Sequence, residues 1–210
     1  MLGRRLLAFT LVETMVATLI IGILVALLLP AIMKAKVKGL QIFCTNNMRG
    51  VGVGLISWAE SHDGSFPQQV PLAQGGMLPF LPGSIASGGV IANDVRPFLL
   101  ASNSLGSAKI LTCPTDRAKA PLTSFSLVKS NTVSYFTSVR PKRANHNTLI
   151  SGDNHISLQQ SAASPIGYRP VWSTNRHDLY GNILFTDGHV ESVINTNLAQ
   201  IFYKAAAAGP

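Results

Sequence analysis

From Phe9 to Met33 the chain runs 25 residues with a single charge among them, Glu13. Helix rise is about 1.5 Å per residue and bilayer hydrocarbon is about 30 Å thick, so about 20 apolar residues cross a membrane. The run is long enough, and it predicts a single-pass membrane helix over residues 9–33. A cleaved secretory signal has a shorter apolar core, about 7–15 residues, followed by a small-x-small cleavage site. Here the run is longer, and Lys34-Ala35-Lys36-Val37-Lys38 follows it before more helical pattern.

This segment accounts for most of the compositional bias. Hydrophobic residues make up 47% of the 210 residues and charged residues 12%, against about 25% charged in ordinary soluble proteins. Beyond about Gly39 the chain is rich in Gly, Ser and Asn and reads as a small secreted domain. The net charge is +8, but no long basic run with interleaved aromatics occurs, so no nucleic-acid partner is expected. The two cysteines, Cys44 and Cys113, lack zinc-site spacing. Outside the cytoplasm they can form one disulfide, with a single connectivity.

Glu13 sits near the start of the apolar run. A carboxylate at the centre of a membrane helix costs about 2.5–3.5 kcal/mol and less near its end, and such groups usually have a partner. The segment holds no basic residue, so the partner is expected from another chain or from a newly made amino terminus. Arg4 and Arg5 on one side and Lys34, Lys36 and Lys38 on the other leave the orientation open by charge alone.

The run Ala8-Phe9-Thr10-Leu11-Val12-Glu13 resembles the processing motif of type IV pilins and type II secretion pseudopilins: a short basic leader, Phe-Thr-Leu-x-Glu, then an apolar helix. Gly22 and Pro30 also fall where members of that family commonly carry Gly and Pro. The resemblance implies a leader over residues 1–8, cut by a prepilin peptidase between Ala8 and Phe9 on the cytoplasmic side, with the new amine of Phe9 methylated. Glu13 then becomes the fifth residue of the mature chain, the family's assembly acid. The family usually has Gly before the cut, and Ala8 departs from that.

Helical periodicity continues past the membrane run through Leu40, Phe43, Val51, Leu55 and Trp58. One helix is predicted from Phe9 to about Glu60, loosened at Pro30, with residues 34–62 as its amphipathic continuation. Ser61-His62-Asp63-Gly64 ends it, and an extracytoplasmic head over residues 63–210 follows. Residues 65–125, dense in Gly, Pro and Ser, read as loops with short elements, among them a short helix at Val95–Leu100. Strands are predicted over Thr132–Val139 and Asn147–Ser151. Asp187-Gly188 reads as a two-residue hairpin turn, both residues at positive φ, between Asn182–Phe185 and Val190–Val193.

A second resemblance covers most of the chain. Cys44-Thr45-Asn46-Asn47-Met48-Arg49, Asp63-Gly64-Ser65-Phe66-Pro67 and Leu111-Thr112-Cys113-Pro114 are similar to a pseudopilin-like family with a carboxy-terminal H-X9-DG signature. His177 and Asp187-Gly188 match that signature, and residues 68–110 match nothing in it. His177, Asp187 and His189 are the candidates for a metal site, but Asp187 is read as turn geometry with the histidines flanking it. Some pseudopilins bind calcium through carboxy-terminal loops, but Asp153, Asp178 and Asp187 are too scattered to promise a cage of oxygen ligands, so no cofactor is expected. No G-x-S-x-G, H-E-x-x-H or P-loop occurs, which argues against an enzyme. Trp58 and Trp172 are expected in the core, and the tail from Ala205 to Pro210 is expected to fray.

The resulting expectation is an α+β, pilin-like chain: a long amino-terminal helix that packs on a small antiparallel sheet. Its implied role is as a pseudopilin of a type II secretion-type filament, anchored in the inner membrane with its head in the periplasm. The implied partners are other pilin subunits, prepilin peptidase and an inner-membrane assembly platform. A type IV pilin for adhesion, motility or DNA uptake is the alternative, and a tethered binding domain that never polymerises is the alternative of another class.

Overall fold

The computed structural model describes residues 10–78, 85–86, 91–139, 141, 148–162, 164, 167–173 and 180–207. One helix, α1 (Leu11–Glu60), runs through Pro30 without interruption. It is long and apolar enough to cross a membrane. The chain divides into two compact units, Met1–Leu40 and Gln41–Pro210.

In the first unit every residue from Leu11 to Lys38 is exposed. The hydroxyls within it are satisfied by the helix itself: Thr14 donates to the Thr10 carbonyl at 3.0 Å and Thr18 to that of Thr14 at 2.9 Å. Such back-bonding removes the cost of a hydroxyl in an apolar medium, where water cannot serve it.

The second unit is built on a six-stranded antiparallel sheet ordered β1-β2-β3-β4-β7-β8. Its strands are β1 (Ile85–Ala86), β2 (Ile91–Ala92), β3 (Tyr135–Ser138), β4 (Leu149–Asp153), β7 (Tyr180–Phe185) and β8 (Val190–Ile194). A separate two-stranded ribbon pairs β5 (Ile156–Gln160) with β6 (Tyr168–Trp172). Three further helices are α2 (Arg96–Leu100), α3 (Ser102–Leu105) and α4 (Asn195–Ala207).

The central strands are apolar on both faces because both are covered. On one side Cys44, Met48, Val51, Leu55 and Trp58 of α1 pack with Phe66, Phe98, Leu105 and Leu111 against Tyr135, Ile150 and Leu184. On the other, Leu198 and Phe202 of α4 and Trp172 of β6 pack against Phe136, Leu149, Ile183 and Phe185. Alternate residues of one strand therefore supply different cores, as the two-residue period of a strand requires. Gly52 lets α1 approach the sheet, since a Cβ there would lie 2.8 Å from Leu184 Cδ1.

The buried stripe of α1 differs from the predicted one at Phe43. Cys44, Met48, Val51, Leu55 and Trp58 recur at steps of four, three, four and three, whereas Phe43 lies one step, about 100°, off that line and is 62% exposed. Asp63 and Gly64 end the helix at φ 53 and 76, and the Gly64 N–H reaches the Ala59 carbonyl at 2.8 Å. Of the tail expected to fray, Ala205–Ala207 instead belong to α4, because Leu198 and Phe202 anchor the preceding turns, and residues 208–210 lie outside the described residues.

Candidate functional site

Residues 1–9 lie outside the described residues, Ala8 and Phe9 of the resembled cut site among them. The amino end of α1 lies just beyond them. The Thr10 N–H and the Thr10 hydroxyl each donate to Glu13 Oε2 at 2.8 Å, and the Glu13 N–H is 3.3 Å from Thr10 Oγ1. This is a capping box, in which two orphan donors of the first helical turn are satisfied reciprocally. Glu13 therefore has a neutral hydrogen-bond partner within its own helix, in addition to the charged partner expected from another chain or a new amino terminus. The carboxylate is held locally through one oxygen, and Oε1 accepts no hydrogen bond among the described residues.

The carboxy-terminal hairpin is the second candidate. The Phe185 N–H donates to the His189 carbonyl at 3.0 Å and the Gly188 N–H to the Phe185 carbonyl at 3.0 Å. The loop is therefore Thr186-Asp187-Gly188, three residues with glycine in the left-handed position at φ 87. The predicted two-residue turn, with positive φ at both Asp187 and Gly188, is replaced by this one. A single left-handed glycine after an ordinary turn closes a three-residue hairpin with the same strand twist.

The Asp187 side chain stays local. Its Oδ1 accepts from the His189 N–H at 3.0 Å and lies 2.5 Å from His189 Nδ1. The His189 ring stacks on Phe185 at 4.3 Å. Partial burial raises the Asp187 carboxyl, but the hydrogen bonds from His189 outweigh it and hold the group below its ordinary value. His177 and Asp178 lie outside the described residues. Asp153 is fully buried on β4 and accepts from the Asn182 N–H at 2.7 Å and from Asn182 Nδ2 at 3.0 Å. Among the described residues no three His, Cys, Asp or Glu side chains converge in a way that could hold a metal ion.

Cys44 and Cys113 are joined by a disulfide that closes a sequence separation of 69. The Thr115 hydroxyl lies 2.9 Å from Cys113 Sγ. The bond ties α1 to the segment before Pro114 inside the Gln41–Pro210 unit. Trp58 and Trp172 are both buried, at 7% and 2% exposure.

Sequence reasoning passed over Asn182. Its Oδ1 accepts from Ser192 Oγ at 2.9 Å on β8 and from Thr45 Oγ1 at 3.2 Å on α1, while its donors serve Asp153 on β4. One buried amide thus ties three elements together. The available signal was a polar residue at a position facing the core of an apolar strand.

No protein-family model, curated protein or solved structure matches the chain.

Proposed function

We propose that this chain is a pseudopilin-like subunit. In this reading it is anchored in the inner membrane by the apolar half of α1 and assembled through that half into a secretion-type filament, with the Gln41–Pro210 unit outside the membrane. The observation that carries the proposal is the run Ala8-Phe9-Thr10-Leu11-Val12-Glu13 leading into a 50-residue helix whose first part, to Met33, carries Glu13 as its single charge. The antiparallel sheet behind the second part of α1 supports a pilin-like arrangement.

The capping box gives Glu13 a role compatible with assembly. Thr10 lies on the mature side of the Ala8–Phe9 cut, so the cap survives processing. With Oε2 engaged by Thr10, Oε1 is left to accept from the amine of Phe9 on a neighbouring subunit. In a medium of low dielectric such a pair is strong, and an unpaired charge there is costly.

Two measurements test the proposal. Mass spectrometry of the amino-terminal peptide from cells with prepilin peptidase should find methylated Phe9 as the first residue; an intact Met1 start would overturn it. Glu13→Gln keeps the box, since Gln also serves at that position, but removes the charge. Glu13→Gln and Glu13→Ala should both be cut normally and assemble poorly, while Glu13→Asp keeps part of the yield of sheared filament. Full assembly of Glu13→Gln would mean that the cap alone matters and would rule out the pairing.

A further inference from the structure

The β5–β6 ribbon has two edges, and among the described residues only one is protected. The Ser173 N–H donates to the His155 carbonyl at 2.8 Å and the Ser161 N–H to the Gly167 carbonyl at 3.1 Å. Together with the register from Ile156↔Trp172 to Gln160↔Tyr168, these bonds fix the parity of the ladder. In an antiparallel pair, hydrogen-bonded and non-hydrogen-bonded positions alternate. Ser157/Val171 and Gln159/Arg169 therefore bond each other, whereas Ile156, Leu158 and Gln160 turn their N–H and C=O groups outward, as do Trp172, Pro170 and Tyr168 on the other edge.

The β6 edge is blocked at each of those positions. The Trp172 N–H donates to Asn195 Oδ1 at 2.6 Å, Pro170 has no N–H, and the Tyr168 carbonyl accepts from Ser164 Oγ at 2.6 Å. Proline on an edge and capped donors are the devices that keep a strand from templating another. The β5 edge has none. Its sequence, Ile-Ser-Leu-Gln-Gln, contains no charge, proline or glycine, and among the described residues nothing hydrogen-bonds to the outward groups of Ile156, Leu158 or Gln160.

We infer that β5 is a docking edge for β5 of a second copy of this chain, paired antiparallel about a two-fold axis at Leu158. Unpaired backbone donors and acceptors along an extended strand are complemented by another extended strand. This strand is complementary to itself. Rotation about Leu158 places Ile156 opposite Gln160, Ser157 opposite Gln159 and Leu158 opposite its own mate. The product is one four-stranded ribbon, β6-β5-β5-β6, whose apolar face carries Ile156, Leu158, Pro170 and Trp172 from each copy.

Charge favours this edge for self-association. The Gln41–Pro210 unit carries 12 Lys and Arg against 8 Asp and Glu, a net +4, so two copies of it repel, but β5 brings no like charges into register. The nearest cation on the ribbon, Arg169, would lie three strand spacings, about 14 Å, across the ribbon from its mate and two residues along it, beyond the Debye length of about 8 Å at physiological salt. A five-residue strand pair buries far less than the ~1,200 Å² of a stable interface. The contact is therefore suited to copies already concentrated by a common membrane anchor. It goes beyond the filament reading and does not require leader cleavage.

The test is disulfide trapping in the full-length chain in its membrane. The chain has two cysteines and they bond each other, so a Cys introduced by Leu158→Cys is the single free thiol. Under mild oxidation Leu158→Cys should yield a covalent dimer of this chain. Tyr168→Cys, at a residue 45% exposed on the blocked edge, should remain monomeric over the same interval. Co-expressed Ile156→Cys and Gln160→Cys chains should form the mixed dimer in preference to either homodimer. Adding Leu158→Pro, which removes an outward N–H and no bond within the ribbon, should lower that mixed yield by roughly tenfold or more. Equal trapping of Leu158→Cys and Tyr168→Cys overturns the inference. So does capture of a different protein by Leu158→Cys, or a mixed dimer indifferent to Leu158→Pro.

Discussion

Gly188 closes the carboxy-terminal hairpin at φ 87, and a series of substitutions there isolates the backbone contribution to stability. A residue with a Cβ held in the left-handed region costs about 1–2 kcal/mol relative to glycine. The added Cβ would stand 3.2 Å from Ile56 Cδ1, the free end of a flexible side chain that can yield by a few tenths of an ångström. Gly188→Ala is therefore dominated by the backbone and should cost about 1–2 kcal/mol. Gly188→Asn should cost less, since Asn tolerates that region, and Gly188→Val more, since β-branching makes it worse. For a unit of this size 1 kcal/mol moves the melting temperature by about 2–4 °C, so Gly188→Ala should melt about 2–8 °C below the parent. Trp58 and Trp172, both buried in the Gln41–Pro210 unit, report its unfolding by fluorescence on detergent-solubilised full-length protein. A Gly188→Ala protein as stable as the parent, or one more stable than Gly188→Asn, would refute the three-residue geometry.

Two further outcomes follow from the same unit. Reduction of Cys44–Cys113, which spans a sequence separation of 69, should lower unfolding free energy by about 4 kcal/mol on the chain-entropy relation. Denaturant midpoints with and without reductant measure this, and coincident curves would contradict it. The Asp187 carboxyl should titrate below its unfolded value of about 3.9 because His189 hydrogen-bonds its charged form. Its contribution is then present above that value and lost as pH falls through the lower folded one. A carboxyl-carbon NMR titration should show the midpoint rising in His189→Ala, and an unmoved midpoint would remove the imidazole as a cause and leave the backbone N–H of residue 189.

The elements legible in the sequence were those with long, regular patterns. The apolar run from Phe9 to Met33 and the periodic stretch to Trp58 gave α1, because burial or membrane insertion leaves a continuous signature over many turns. Phe43 misled because steps of three and four from a single anchor fan out over neighbouring faces. Only the sheet beneath α1 decides that Cys44 and Met48, and not Phe43, face inward. The β5–β6 ribbon was passed over because Pro170 interrupts its second strand and Gln159-Gln160 are weak strand formers; Trp172, 2% exposed, holds it to the core through contacts far away in sequence. Helix α4 was hidden by its opening, Asn195-Thr196-Asn197, three poor helix formers, and by an alanine tail that resembles filler. At Asp187-Gly188 the hairpin was legible and its loop length was not, since Thr186 can belong to strand or turn until its neighbours pair.

The disulfide also has a mechanical consequence. Tension entering the Gln41–Pro210 unit along α1 meets Cys44 three residues after Gln41 and passes through a covalent bond directly to Cys113. The intervening chain, which includes Met48, Val51, Leu55 and Trp58, is short-circuited and bears no load. At about 3.3 Å per residue, the 69-residue separation represents roughly 230 Å of contour length that pulling cannot release. What extends under force is the chain from Cys113 onward, so the stretch of α1 buried against the sheet lies behind a covalent stop.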